Sequence, residues 1–185
     1  MPSNVEIKAS VRDPGRMRAM VEKAAGSPAR IIHQEDIFFR SGSGRLKLRI
    51  LSDDSGELIY YRRPDTVGAR MSDYTVYRTD RPRQLRALLA QALGETVTVR
   101  KKRELYMAGQ TRIHLDEVEG LGTFLELEVV LRPGQSFEEG SRIAGELIGK
   151  LGINEADLVP CAYGDLIMMK AGPESSLNKA DRKSP

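Results

Sequence analysis

The 185-residue chain carries 29 Lys and Arg against 26 Asp and Glu, a net charge of +3, so it is not a uniformly basic nucleic-acid coat. Its 40% hydrophobic content supports one domain with a real core. One cysteine, Cys161, excludes an intramolecular disulfide, and with only His33 and His114 beside it a tetrahedral zinc site of the usual ligands is excluded as well.

In chain order, Asn4-Val5-Glu6-Ile7-Lys8 alternates polar and apolar residues and reads as a strand. Asp13-Pro14 opens a helix that runs to about Ala25 and is closed by Gly26. Ile37 to Phe39 reads as a short strand. SGSG at 41–44 is a turn and not a phosphate loop, because a strand-like run, GRLKLRI, follows in place of GK[ST] and a helix. Asp53-Asp54-Ser55-Gly56 turns into a second strand, GELIYYRR, and 72–78 alternates again. Asp80 and Pro82 open an amphipathic helix ending at Gly94. Residues 96–103 and 111–118 flank the turn Ala108-Gly109-Gln110, and 123–131 is the clearest alternating strand. A third helix spans about Phe137 to Leu151, Asn154 caps a short one, and a last helical piece lies near Tyr163 to Met169. The sequence MPSNVEIKASVRD lacks a secretory apolar segment and no run reaches membrane-span length, which points to a soluble, cytoplasmic protein.

The polar faces of these strands are sorted by sign. Arg45, Lys47 and Arg49 share one face opposite Leu46, Leu48 and Ile50. Lys101 and Arg103 share another, as do Glu126 and Glu128, while Arg112, His114 and Asp116 oppose Ile113 and Leu115. Like charges at two-residue spacing repel unless a counter-charge faces them. Closing the sheet would bring cations and carboxylates together inside, with the aliphatic faces turned outward under the helices. The product is a charged tunnel. Clustered Arg and Lys suit phosphate oxygens, and paired carboxylates suit a hard cation such as Mg²⁺.

NVEIK at 4–8 resembles the ExExK signature of the CYTH proteins, or triphosphate tunnel metalloenzymes, which include class IV adenylyl cyclases, thiamine triphosphatases and inorganic tripolyphosphatases. The likeness continues through HQEDIFF at 33–39, LKLR at 46–49, IYYRR at 59–63, ARMSDY at 69–74, KKRELY at 101–106 and RIHLDEVEGLGTFLELEV at 112–129, closest to the CyaB-like branch. It implies an α+β fold, a closed eight-stranded antiparallel β-barrel with helices packed outside, over residues 1–170, followed by a disordered tail at 171–185. It also implies Mg²⁺ or Mn²⁺ held by Glu6, Glu126 and Glu128. Lys8, Lys47, Arg49, Arg62, Arg70, Lys101, Arg103 and Arg112 would grip the triphosphate, with Lys8, Arg49, Arg103 and Asp116 closest to the chemistry. Asn4 departs from the signature, placing an amide where the family has its first glutamate. Cys161-Ala162-Tyr163 departs from the basic residue before Ser-Tyr seen in cyclase relatives.

The expected activity is metal-dependent hydrolysis of a triphosphate-bearing small molecule: tripolyphosphate, thiamine triphosphate or a nucleoside triphosphate. The alternatives are an adenylyl cyclase making cyclic AMP and pyrophosphate, and a non-catalytic binder of polyphosphate or RNA 5′-triphosphate. A membrane partner is not expected, and the chain is either a monomer or a homodimer. His33 reads as structural, His114 as a possible tunnel residue by its parity, Tyr60 and Tyr61 as candidates to stack on a base, and Arg45 as a residue reaching toward solvent.

Overall fold

The computed structural model describes residues 3–172. Apart from Ala171 and Gly172, the expected disordered tail lies outside the described residues. The chain forms strands β1 (Ser3–Ser10), β2 (Arg30–Phe39), β3 (Arg45–Ser52), β4 (Ser55–Arg62), β5 (Arg70–Thr79), β6 (Glu95–Ala108), β7 (Thr111–Val118) and β8 (Gly122–Val130). The helices are α1 (Pro14–Ala25), α2 (Pro82–Leu93), α3 (Phe137–Lys150) and α4 (Tyr163–Ala171), with a 3₁₀ turn at Glu155–Asp157. The strands close into one antiparallel barrel in the order β1-β5-β4-β3-β2-β6-β7-β8. No helix among the described residues is long and apolar enough to cross a membrane.

Local chemistry sets the helix ends. Asp13 caps α1 by accepting from the Arg16 N–H at 3.0 Å, Pro14 follows where no N–H is needed, and Gly26 ends the helix in the left-handed conformation. Ser136 and Glu139 form a reciprocal capping box on α3. At α2 the cap position falls on Arg81 and not Asp80, and it has no side-chain cap bond.

The period of two along each strand divides the molecule into two environments. Outward residues make the hydrophobic core, which lies between barrel and helices. α1 contributes Val21 to a cluster with Tyr106, Ile113, Leu115, Leu125 and Leu127. α3 covers Val5, Ile7 and Val129, and α2 brings Leu85 and Leu89 onto Ile37, Phe39, Leu48 and Ile50. Ile113 and Leu127 are fully buried, and each contributes roughly 1.5–3 kcal/mol relative to exposure. Gly140 lets α3 approach β1: a Cβ there would sit 2.6 Å from Val5 Cγ2 and Leu131 Cδ2. Arg18 of α1 grips Glu104 with two bonds of 2.7 and 2.8 Å, and Tyr106 donates to the same carboxylate.

Inward residues are mostly charged. This inverts a small barrel of the ordinary kind, whose interior fills with apolar side chains. Buried charge is tolerated only when paired, so the interior is a lattice of ion pairs.

Two strands run longer than their alternation suggests. β2 starts at Arg30, seven residues before the expected strand, and β6 continues from Arg103 through Ala108.

Candidate active site inside the barrel

The barrel encloses a cavity of about 960 Å³ with one open and one closed end. The open mouth lies where β3 turns into β4 and where β1 begins. Arg30, Ser52, Ser55 and Arg78 line it together with the exposed apolar side chains Ile31, Leu51 and Val76.

Helix α4 and the segment before it close the other end. Tyr163, Leu166 and Ile167 pack onto Phe38, Val99, Val118 and Phe124, all of which point inward from the ends of their strands. The preceding segment is sewn to β1 by an Ala9–Leu158 bridge and by the Val159 N–H donating to Lys8 O at 2.8 Å. Lys8 Nζ donates to the Cys161 carbonyl at 3.2 Å, and Tyr163 lies beneath that ammonium, its ring centre 3.8 Å away.

Two cation pairs, each anchored on one buried carboxylate, line the wall between the ends. Register places Asp36 opposite Arg49, and Asp36 accepts from Arg49 Nε at 2.8 Å, Arg49 Nη2 at 2.9 Å and Lys47 Nζ at 2.8 Å. Register likewise places Asp116 opposite Arg103. Asp116 accepts from Arg103 Nε at 2.7 Å, Arg103 Nη2 at 2.6 Å, Lys101 Nζ at 2.8 Å and the Tyr163 hydroxyl at 3.1 Å. Each aspartate holds a lysine and an arginine in fixed orientation toward the cavity. Burial pushes both acids up, but the adjacent cations outweigh it and hold both below the usual carboxylate range. Burial, with Arg49 alongside, lowers Lys47 to about 8; burial also lowers Lys8 to about 8, with Glu126 opposing.

The opposite wall is acidic. Glu6 faces Glu128 across β1–β8, and Glu126 faces Lys8 on one side and His114 on the other. Glu126 Oε2 accepts from Arg103 Nη2 at 2.8 Å, and Lys8 Nζ stands 3.6 Å from Oε1. Burial, followed by repulsion from Glu128 and Glu126, raises Glu6, although Arg63 Nη1 donates to it at 2.7 Å. For Glu126 burial again pushes up, but Lys8, His114 and Arg103 hold the carboxyl well below its usual range.

One ligand atom each from His114, Glu126 and Glu128 lies within 4.8 Å of the others. His114 Nδ1 is buried without a hydrogen-bond partner, 3.8 and 3.7 Å from oxygens of Glu126 and Glu128. Burial, then Arg103, lowers His114, which favours the neutral imidazole a metal requires. Two carboxylates and an imidazole at this spacing can hold a divalent cation.

The expected site residues Lys8, Lys47, Arg49, Lys101, Arg103, Arg112, Glu6, Glu126 and Glu128 all line the cavity, and Asp116 lies buried behind two of them. Arg62 does not join them. Tunnel-facing positions on β4 are odd (Glu57, Ile59, Tyr61) and the parity continues to Arg63, so Arg62 leaves the barrel and donates to the exterior Tyr60 hydroxyl at 2.9 Å. Arg70 has tunnel parity but is buried at the closed end, where its Nη1 donates to the carbonyls of Thr66 and Pro160, both at 3.0 Å. In the acid cluster His114 takes the place expected for Glu6, whose carboxylate Arg63 engages. Asn4 is buried, and with its amide oxygen toward Arg112 Nη2 it accepts at 3.0 Å, while Arg112 Nε pairs with Glu128 at 2.9 Å. Arg45 bonds Asp65 and Asp165, His33 is exposed, and Tyr61 lines the cavity. Asp36 and Arg63 also line the cavity, and neither carries a local sequence signal for it.

The model of the CYTH domain family matches residues 3–163. The chain belongs to the CYTH domain family. Among its CYTH-like relatives, a Methanocaldococcus jannaschii protein designated a candidate adenylate cyclase is 25% identical over 88% of this chain and 97% of its own length. A Pyrococcus horikoshii structure superposes with a TM-score of 0.78 at 23% identity, covering 88% of this chain and 98% of that one. A Hippeastrum protein, described as a candidate adenylyl cyclase with a dominant triphosphatase activity, superposes with a TM-score of 0.62 at 16% identity, covering 93% and 96%. These structures share the CYTH barrel.

Proposed function

We propose that this CYTH tunnel catalyses metal-dependent hydrolysis of a triphosphate-bearing small molecule. One observation carries the reading: two carboxylate-anchored Lys–Arg pairs and a His114–Glu126–Glu128 cluster line one cavity, joined by Arg103, which bonds both Asp116 and Glu126. Phosphoryl transfer needs positioning and charge neutralisation more than covalent chemistry from the protein.

Lys47, Arg49, Lys101 and Arg103 bind phosphoryl oxygens, with Asp36 and Asp116 as positioning residues behind them. Lys8 and Arg112 extend this grip toward the closed and open ends. His114, Glu126 and Glu128 would hold the ion. When bound, Mg²⁺ or Mn²⁺ supplies charge neutralisation and a more acidic water. Glu6, held by Arg63, sets the negative potential beside that cluster. The tunnel walls keep bulk water from the phosphate chain, which strengthens each of these contacts.

The test is incubation with tripolyphosphate, thiamine triphosphate and ATP, each with Mg²⁺ or Mn²⁺, followed by product identification. Metal-dependent phosphate release that is lost in a folded Glu126→Gln variant supports the proposal. Cyclic AMP would assign the ring-closing reaction, and tight binding without product would assign a sensor.

A further inference from the structure

An amide oxygen in the tunnel wants a donor that a phosphate chain cannot supply. The inward carboxylates Glu6, Asp36, Asp116, Glu126 and Glu128 are each paired with a cation. Gln34, 7% exposed, faces the same cavity from β2, and its Oε1 is buried without a hydrogen-bond partner. Register sets Gln34 opposite Lys101, whose Nζ is turned to Asp116, and Gln34 lies one inward position from Asp36 on the side of the open mouth. A buried carbonyl oxygen left without a donor is costly. Phosphate oxygens do not relieve it, because an ionised triphosphate carries acceptors and no donors. Near Gln34 the lining also turns apolar. Leu105, Ile32, Leu51, Ile59 and Val76 line the cavity from five neighbouring strands, β6-β2-β3-β4-β5, and Ile59 faces Val76 directly across β4–β5. A single exposed aliphatic would be ordinary, but one on each of five consecutive strands makes a continuous apolar wall in a barrel whose inward face is otherwise charged. A bare phosphate chain gains nothing from such a wall. The cavity, about 960 Å³, also has the size of pockets that take a larger organic ligand, about 300–1,000 Å³.

We infer that Gln34 is a specificity-determining residue that accepts a hydrogen bond from a sugar hydroxyl, with the aliphatic wall covering the rest of the organic group, so that the substrate is a nucleoside triphosphate. The inference rests on the triphosphate reading and chooses within it. Gln34 adjoins Lys101 and Asp36, so the donor it meets lies close to the phosphate chain. In a nucleoside triphosphate a ribose hydroxyl stands at that distance. Thiamine triphosphate has an ethylene link there, with no donor, and tripolyphosphate ends in further acceptors. The amide accepts the bond and not the proton, so the hydroxyl is held without being activated, in keeping with attack by water and not ring closure.

The experiment measures dissociation constants of the full chain, with Mg²⁺, for ATP, 2′-deoxy-ATP, 3′-deoxy-ATP, thiamine triphosphate and tripolyphosphate. The wild-type chain binds at least one deoxy analogue about five- to tenfold more weakly than ATP, the loss expected when one buried acceptor goes unpaired. Gln34→Met, checked for native circular dichroism, weakens ATP by a similar factor and does not weaken that analogue further, because both changes remove the same bond. The variant leaves thiamine triphosphate and tripolyphosphate within about twofold, which a merely structural role for Gln34 would not do. The deoxy comparison needs no variant, so it stands even if Gln34→Met fails to fold. Both deoxy analogues binding as tightly as ATP, Gln34→Met binding ATP like the wild type, or Gln34→Met weakening tripolyphosphate as much as ATP each overturns the assignment while the triphosphate reading stands. Failure of every probe to bind the wild-type chain overturns that reading and the assignment with it.

Discussion

Replacing Asp36 by Asn isolates what one buried carboxylate contributes to the tunnel. The substitution keeps the shape and removes the charge that accepts three bonds of 2.8–2.9 Å from Lys47 and Arg49. Breaking a buried ion pair from one side costs about 3–5 kcal/mol, because the remaining charge is left uncompensated. Lys47 and Arg49 are 15% and 14% exposed at their side chains and border a solvent-accessible cavity, so screening reduces the expected loss to about 2–3 kcal/mol. A bound triphosphate would act in the opposite direction. At roughly 6 Å and an effective dielectric near 20, two like charges repel by about 3 kcal/mol, so loss of Asp36 removes a repulsion comparable to the stability it costs. Urea unfolding with and without tripolyphosphate measures both quantities. Asp36→Asn should be destabilised by about 2–3 kcal/mol without ligand and by less than about 1 kcal/mol at saturation, while turnover falls because Arg49 is no longer aimed. Equal destabilisation in the two conditions would falsify the counter-charge role.

Arg63→Gln should weaken triphosphate binding at least about tenfold, whereas Arg62→Ala, on the barrel exterior, should leave it within about twofold; isothermal titration of both variants decides between the two positions. Lys47 and Lys8, both lowered to about 8 chiefly by burial, give kcat/KM an alkaline limb near that pH, and Lys47→Arg should make that limb less steep by removing one of its two titrations. The sign for stability is reversed: between about 8 and the unfolded value of 10.5 the unfolded chain holds more protons at Lys47, so its contribution to stability rises with pH, and Lys47→Met should flatten that part of the profile. Gly140→Ala should destabilise by about 1–2 kcal/mol in denaturant unfolding although alanine favours helices, because its Cβ would meet Val5 and Leu131 at 2.6 Å; a more stable variant would show that α3 can move away.

The barrel and most of its lining were legible because alternation survives where one face is aliphatic, as in GRLKLRI and TFLELEVV. It failed in β2, where Gln34 and Asp36 face the tunnel while Glu35 pairs with Arg100 outside it and His33 is exposed near the mouth, so both faces are polar and the period vanishes. Asp36 is illegible for a related reason. A lone acid in HQEDIFF has no local signal, and its role comes from a register that sets it opposite Arg49. Arg62 stands in for Arg63 in the sequence expectation because YYRR offers the same residue type to both sides, and only the parity of Glu57, Ile59 and Tyr61 separates them. The tunnel parity of His114 is legible from Arg112 and Asp116, but its place beside Glu126 and Glu128 and the engagement of Glu6 by Arg63 come from register and the third dimension.

Because outward residues build the core and inward residues carry the charge, each strand states two messages in alternate letters. A substitution edits one message at a time, and the tunnel lining can therefore diverge between relatives while the packing under the helices persists. A single-residue insertion in the middle of β8 has no such freedom. It would send Glu126 and Glu128 toward α1 and α3 and turn Leu127 and Val129 into the tunnel, removing the acid cluster and the core beneath two helices in one step. A length change in the middle of β8 thus costs far more than one in a turn between strands.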